Sequence, residues 1–210
     1  MESLARGGTR WRRFAVVMVP SIAATAAIGV ALSQGALAAS FSVSGQSFKV
    51  SAKELNGKGF AQYGGVDAGY DKSGHAVAIS SFKSADITDM CQSVVTPDVP
   101  LVGTVTLQLK AGGKGTPVHA DNLYIDVADL SADAEFKNID IGVATGVTGN
   151  AGQGGKGPAV RDKVNPNGFA QQADEATLKN VKQTAWATTA GTFKLSGLSM
   201  KLHKGVKECY

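Results

Sequence analysis

Leu123-Tyr124-Ile125-Asp126-Val127 sets Leu, Ile and Val on every second position. Successive side chains of a strand point to opposite faces, so this order builds one apolar face and one more polar face. The same period of two recurs at Phe41 and Val43, at Phe48 and Val50, at Val105, Leu107 and Leu109, and at Ile139, Ile141 and Val143. Phe193 and Leu195 repeat it, Gly197 intervenes, and Leu198, Met200 and Leu202 continue one residue out of phase. A glycine at such a slip reads as a β-bulge inside one long strand. With 26 glycines and frequent Thr, Ser and Val, the composition suits strands joined by tight turns. The expected fold is all-β: a single-domain β-sandwich or layered β-roll.

Between these strands two stretches read as loops. Gly57 to Gly74 carries several glycines with Tyr63 and Tyr70. Gly142 to Gly168 is longer, holding the Gly-rich run Gly149 to Gly157, then Pro158 and the turn Asn165-Pro166-Asn167-Gly168. A loop of that length in a compact domain is uncommon. Asp174-Glu175-Ala176 suits the first turn of a short helix, whereas the Thr-rich continuation to Trp186 suits a strand. Faint echoes also run through the chain. Phe48-Lys49-Val50-Ser51 parallels Phe193-Lys194-Leu195-Ser196, and Phe136-Lys137-Asn138-Ile139 parallels Leu178-Lys179-Asn180-Val181, with Asp121-Asn122-Leu123 as a looser relative. They fit either a roll of similar strand–turn units or the common make-up of half-buried strands.

The N-terminus reads as an address. Arg6, Arg10, Arg12 and Arg13 precede an uncharged run from Phe14 to Ser33, and Ala36-Leu37-Ala38 closes it with small residues about a larger one. That order describes a secretory signal peptide, residues 1–38, cleaved after Ala38, with residues 39–210 as one β-rich secreted domain. The alternative is an uncleaved anchor to the outer face of the cell membrane through residues 14–33, a stretch long enough to cross about 30 Å of hydrocarbon. Removing the leader takes four of 21 basic and one of 17 acidic residues, so the net charge of +4 falls to +1. Nothing in that balance favours nucleic acid, and membrane contact is expected only through an uncleaved leader. Cys91 and Cys209 are the two cysteines, and in an oxidising compartment they are expected to form one disulfide.

Catalytic patterns are sparse. Gly152, Gly154 and Gly157 spell a formal GxGxxG, but Pro158 and more loop follow where a dinucleotide site needs a helix, so no cofactor is expected. No G-x-S-x-G occurs. Ser199 and His203 share a strand face but stand about 13 Å apart at about 3.3 Å per residue, too far for a nucleophile and its base. His119 and Asp121 lie two residues apart on one face and are the candidate base and orienting carboxylate, given a converging serine. Six acids between Asp121 and Asp140 match no calcium-loop spacing, and three scattered histidines offer no zinc cluster, so no metal is expected.

The leader, the start Phe41-Ser42-Val43-Ser44-Gly45, the segment Asp89-Met90-Cys91-Gln92-Ser93 and the ending Lys207-Glu208-Cys209-Tyr210 together carry a resemblance. The chain resembles the small secreted actinomycete proteins labelled cholesterol esterase. The resemblance implies a secreted hydrolase of lipid esters with a steryl ester as substrate, and it assigns a catalytic role to no residue of this sequence. The residues themselves leave a second class open: a non-catalytic extracellular β-protein that binds lipid or cell-envelope components.

Overall fold

A computed structural model of the chain describes residues 45–69, 73–149, 155–158 and 164–210. The leader, the Phe41–Val43 alternation, and Gly152 and Gly154 of the glycine run lie outside the described residues. Phe41–Tyr210 is a compact unit of its own. Its described part is all-β, in nine strands: β1 (Phe48–Ala68), β2 (Gly74–Thr88), β3 (Met90–Val99), β4 (Gly103–Ala111), β5 (Val118–Lys137), β6 (Asp140–Ala144), β7 (Phe169–Thr189), β8 (Thr192–Lys194) and β9 (Ser199–Lys204). All belong to one antiparallel sheet ordered β6-β7-β5-β2-β1-β3-β4-β9, with β8 beside β5.

The sheet is rolled, because β7 also pairs with β1. Paired residues can be followed round the ring from Phe48 to Ala185, Val127 and Ala78, and β1 is then rejoined at Gly64 instead of Phe48. Such a stagger tilts the strands steeply, which lets four long strands enclose an apolar interior. Leu55, Phe60, Phe82, Leu123, Val127 and Val181 form part of that core. Phe60 packs on Phe82 and Phe136 with ring centroids 5.4 and 5.1 Å apart. A smaller cluster gathers Tyr63, Val77, Ile79 and Ala170.

The echoes found in the sequence mark a shared backbone device. Asn122, Asn138 and Asn180 have φ of 49°, 52° and 54°, the left-handed region that asparagine tolerates better than most side chains. Asn122 and Asn180 each shift the alternation of their strand by one residue, and Asn138 stands between β5 and β6. On β7 the buried Leu178 and Val181 are three apart with Asn180 between them, and on β5 Ala120 and Leu123 flank Asn122 in the same way. The next strand slips in step. Ala52 and Leu55 of β1 face Val181 and Leu178, so both strands change phase together and the apolar face stays inward.

Several expectations are corrected. Gly57 to Ala68 is the second half of β1, not a loop. Its glycines are vacancies for neighbouring groups: a Cβ on Gly57 would meet the Phe82 ring, and one on Gly59 (φ 61°) would meet the Lys156 carbonyl. Gly142 to Gly168 is not all loop: β6 runs to Ala144, and a 3-10 turn follows at Thr145–Val147 whose Thr145 amide donates to Gly168 O at 2.9 Å. Asp174-Glu175-Ala176 lies inside β7, with Ala176 buried and Glu175 bound to Lys137 at 2.6 Å, so the strand alternative holds. Phe193 to Leu202 is not one bulged strand. At Gly197 (φ 66°) the chain turns, leaving β8 against β5 and β9 against β4.

Cys91 and Cys209 form the disulfide, with Cα atoms 5.9 Å apart. The tail reaches it along one face of β3 and β4. There Thr106 Oγ1 donates to Gly205 O at 2.7 Å and accepts from the Lys207 amide at 3.0 Å, while the Cys209 amide donates to Ser93 Oγ at 3.1 Å.

Candidate functional site

His119 and Asp121 meet as their spacing on β5 requires. Nε2 of His119 is 3.3 Å from an Asp121 oxygen. Asp86 adds a contact that the sequence does not reveal, 2.7 Å from Nδ1, because β2 places it directly opposite His119. Only the inter-strand register brings these two together, and no local spacing encodes it. The hydrogen bond to Asp86 is the largest of the influences holding the His119 pKa above its ordinary 6.5, with the Asp121 charge adding to it against partial desolvation. A triad histidine is oriented through one nitrogen and accepts the nucleophile's proton through the other. Here carboxylates face both nitrogens, which favours an imidazolium on an exposed strand face.

A nearer approach to nucleophile–base geometry lies at the β1–β2 hairpin. Ser73 Oγ and His75 Nε2 are 3.1 Å apart, within the reach a base needs. His75 stacks on Trp186 with centroids 3.7 Å apart and planes inclined by 16°, and Asp67 lies directly across from it in the register. The two-residue spacing of Ser73 and His75 was readable. Its setting was hidden, because the strand carrying Asp67 read as loop.

Other motif residues separate. Ser199 and His203 lie on β9, opposite Lys110 and Thr106. The acids of β5 and β6 take individual partners: Asp133 accepts from Asn180 at 2.8 Å, and Asp140 from Lys156 at 3.0 Å and Gln172 at 3.2 Å. Among the described residues no three His, Cys, Asp or Glu side chains group as metal ligands would.

A cavity of about 150 Å³, open to solvent beside Leu130 and Ala134, reaches into the interior of the roll. Phe60, Phe82, Ile125, Leu130 and Phe136 line its apolar part. Gln62, Ser80 and Gln183 are its polar lining, and the first two are linked: Gln62 Nε2 donates to Ser80 Oγ at 2.9 Å and Gln62 Oε1 accepts from Gln171 Nε2 at 2.6 Å. Pockets for drug-sized molecules run to roughly 300–1,000 Å³, whereas an apolar cavity of about 150 Å³ admits a benzene ring. This space suits one ring or a short acyl segment, not a whole sterol.

Residues 44–210 match a protein family described as a family of unknown function, DUF6230, and the chain belongs to it. Comparison with curated proteins and with solved structures gives no match.

Proposed function

We propose that this DUF6230 member is an exported, non-catalytic β-protein that takes an apolar group of a lipid into the interior of the rolled sheet. The observation that carries the reading is the cavity among Phe60, Phe82, Ile125 and Phe136, with the Gln62–Ser80 pair as a polar contact for a headgroup. Export rests on the leader in the sequence, and the Cys91–Cys209 disulfide agrees with an oxidising compartment.

Steryl-ester hydrolysis is the second reading. Its specific support is the Ser73–His75 contact, which offers a nucleophile and a base at one hairpin. Such a role requires Ser73 Oγ to attack the ester carbonyl while Nε2 accepts its proton and returns it to the sterol oxygen as the ester C–O bond breaks, with water then releasing the acid from Ser73.

Two assays on Phe41–Tyr210 separate the readings. Titration with an apolar fluorescent probe and with a medium-chain fatty acid should saturate. Ala132→Leu, which fills the cavity from its lining, should weaken both at least tenfold without lowering the melting temperature. Unsaturable titration, or equal binding by Ala132→Leu, would sink the carrier reading. Turnover of a cholesteryl or nitrophenyl ester that disappears in Ser73→Ala and persists in His119→Gln would install the hydrolase instead.

A further inference from the structure

The tip of the β3–β4 hairpin breaks two local rules at once. The Val102 amide donates to Val99 O at 3.1 Å, closing a tight turn through Pro100 and Leu101. Leu101 has φ of 67°. Proline second and a left-handed residue third is the order of a type II turn, whose third position calls for glycine or asparagine. Leucine is strained there, and its side chain is wholly exposed at 108%. Val102 beside it is exposed as well. Neither the turn nor the core gains from leucine at this point, and a rule broken without local gain points to function.

The apolar surface continues from the tip along one face of the sheet. Val94 lies opposite Leu107 and Leu107 opposite Leu202, so these side chains share a face, on which Leu109, opposite Met200, packs back against the core. Leu202 and Met200 are 68% and 57% exposed. The C-terminal tail cannot cover them, because Thr106, Ser93 and Cys91 fasten it to the other face.

Charge around this face selects the occupant. Lys204 lies opposite Val105 at the tip end of this face, whereas Lys201 and Lys110 alternate to the other face of the same strands, where the tail carries Lys207. None of the four is in a salt bridge among the described residues. Asp98 is the one acid of these strands, and Glu208 of the tail is held by Lys49 at 2.9 Å. With residues 39–210 close to neutral, this end carries a local excess of positive charge. Exposed leucines flanked by lysines match a surface with an apolar interior and anionic headgroups.

We infer that the β3–β4 hairpin docks this protein on an anionic lipid surface tip first, with Leu101 and Val102 entering the acyl region and Lys204 on one face and Lys207 on the other meeting headgroups at either side of the tip. The inference is independent of the interior cavity. It is tested by flotation of Phe41–Tyr210 with phosphatidylcholine vesicles containing or lacking phosphatidylglycerol. Binding should need the anionic lipid and weaken as salt rises. Leu101→Gly suits the turn better than leucine, so it should hold or raise the melting temperature while weakening vesicle binding about tenfold. A Lys204→Gln, Lys207→Gln double variant should erase the preference for anionic lipid, and Ala132→Leu should bind vesicles normally. No vesicle binding, or equal binding by Leu101→Gly, overturns the inference. Self-association abolished by Leu101→Gly, without vesicle binding, overturns it in favour of a second copy on this face.

Discussion

A left-handed asparagine is the smallest unit of this fold. Leu178-Lys179-Asn180-Val181 and Phe136-Lys137-Asn138-Ile139 were legible as echoes, and the structure gives them a physical cause. Each asparagine absorbs a positive φ that would cost most side chains roughly 1–2 kcal/mol. The next residue, Val181 or Ile139, then turns toward the core. Asn180 further donates to Asp133 across the β5–β7 pair. Asn180→Ala should therefore lower the urea-unfolding free energy by about 1–2 kcal/mol, with Asn180→Gly closer to the native protein because glycine bears no Cβ penalty. Equal losses for both variants would show that the hydrogen bond, and not the backbone, is what matters at this site. The same scale explains what the sequence hid at the candidate sites. His119 and Asp121 were visible because they share a strand, while Asp86 and Asp67 come from partner strands that no spacing announces.

At the scale of elements, the C-terminal tail is held by a staple as much as by a sheet. Beyond β9, the tail's bonds to Thr106 and Ser93 place Cys209 beside Cys91. The pairing was legible from the count of two cysteines taken with the proposed export. Its position on β3 was not, since Phe193 to Leu202 read as one strand and left no turn at Gly197. Closing a loop over a sequence separation of 118 contributes about 4–5 kcal/mol in the chain-entropy account. A Cys91→Ser, Cys209→Ser double variant should lose stability of that order in guanidinium titrations. Amide exchange should then rise first at Lys207 and Cys209, whose donors hold the tail. An unchanged unfolding midpoint, or exchange that rises uniformly over the sheet, would show that the tail bonds alone suffice.

For the whole molecule, alternation tells which residues face inward but names no partner strand. The roll depends on β7 meeting both β5 and β1, and on the stagger that carries Phe48 round to Gly64, both set by contacts distant in sequence. Glycine misled for a related reason. In Gly57 to Gly65 it signalled a loop, while in the fold Gly57 and Gly65 make room for the Phe82 and Ile79 side chains of the neighbouring strand. Charge, by contrast, was readable without the fold. Residues 1–38 hold four basic residues and one acid, so their removal would take the chain from +4 to +1. The proposal of export then predicts the form recovered from culture medium. Its N-terminus should be Ala39-Ser40-Phe41, and its intact mass should equal residues 39–210 less the hydrogens lost to the cystine. That form should bind a cation exchanger at neutral pH more weakly than full-length chain, because three net charges leave with the leader. Protein that stays with the cells and still carries residues 14–33 would replace secretion with anchoring at the outer face of the membrane. The hairpin carrying Leu101 would then meet its lipid surface from a tethered position, and its own affinity would add to the anchor as an effective concentration instead of acting alone.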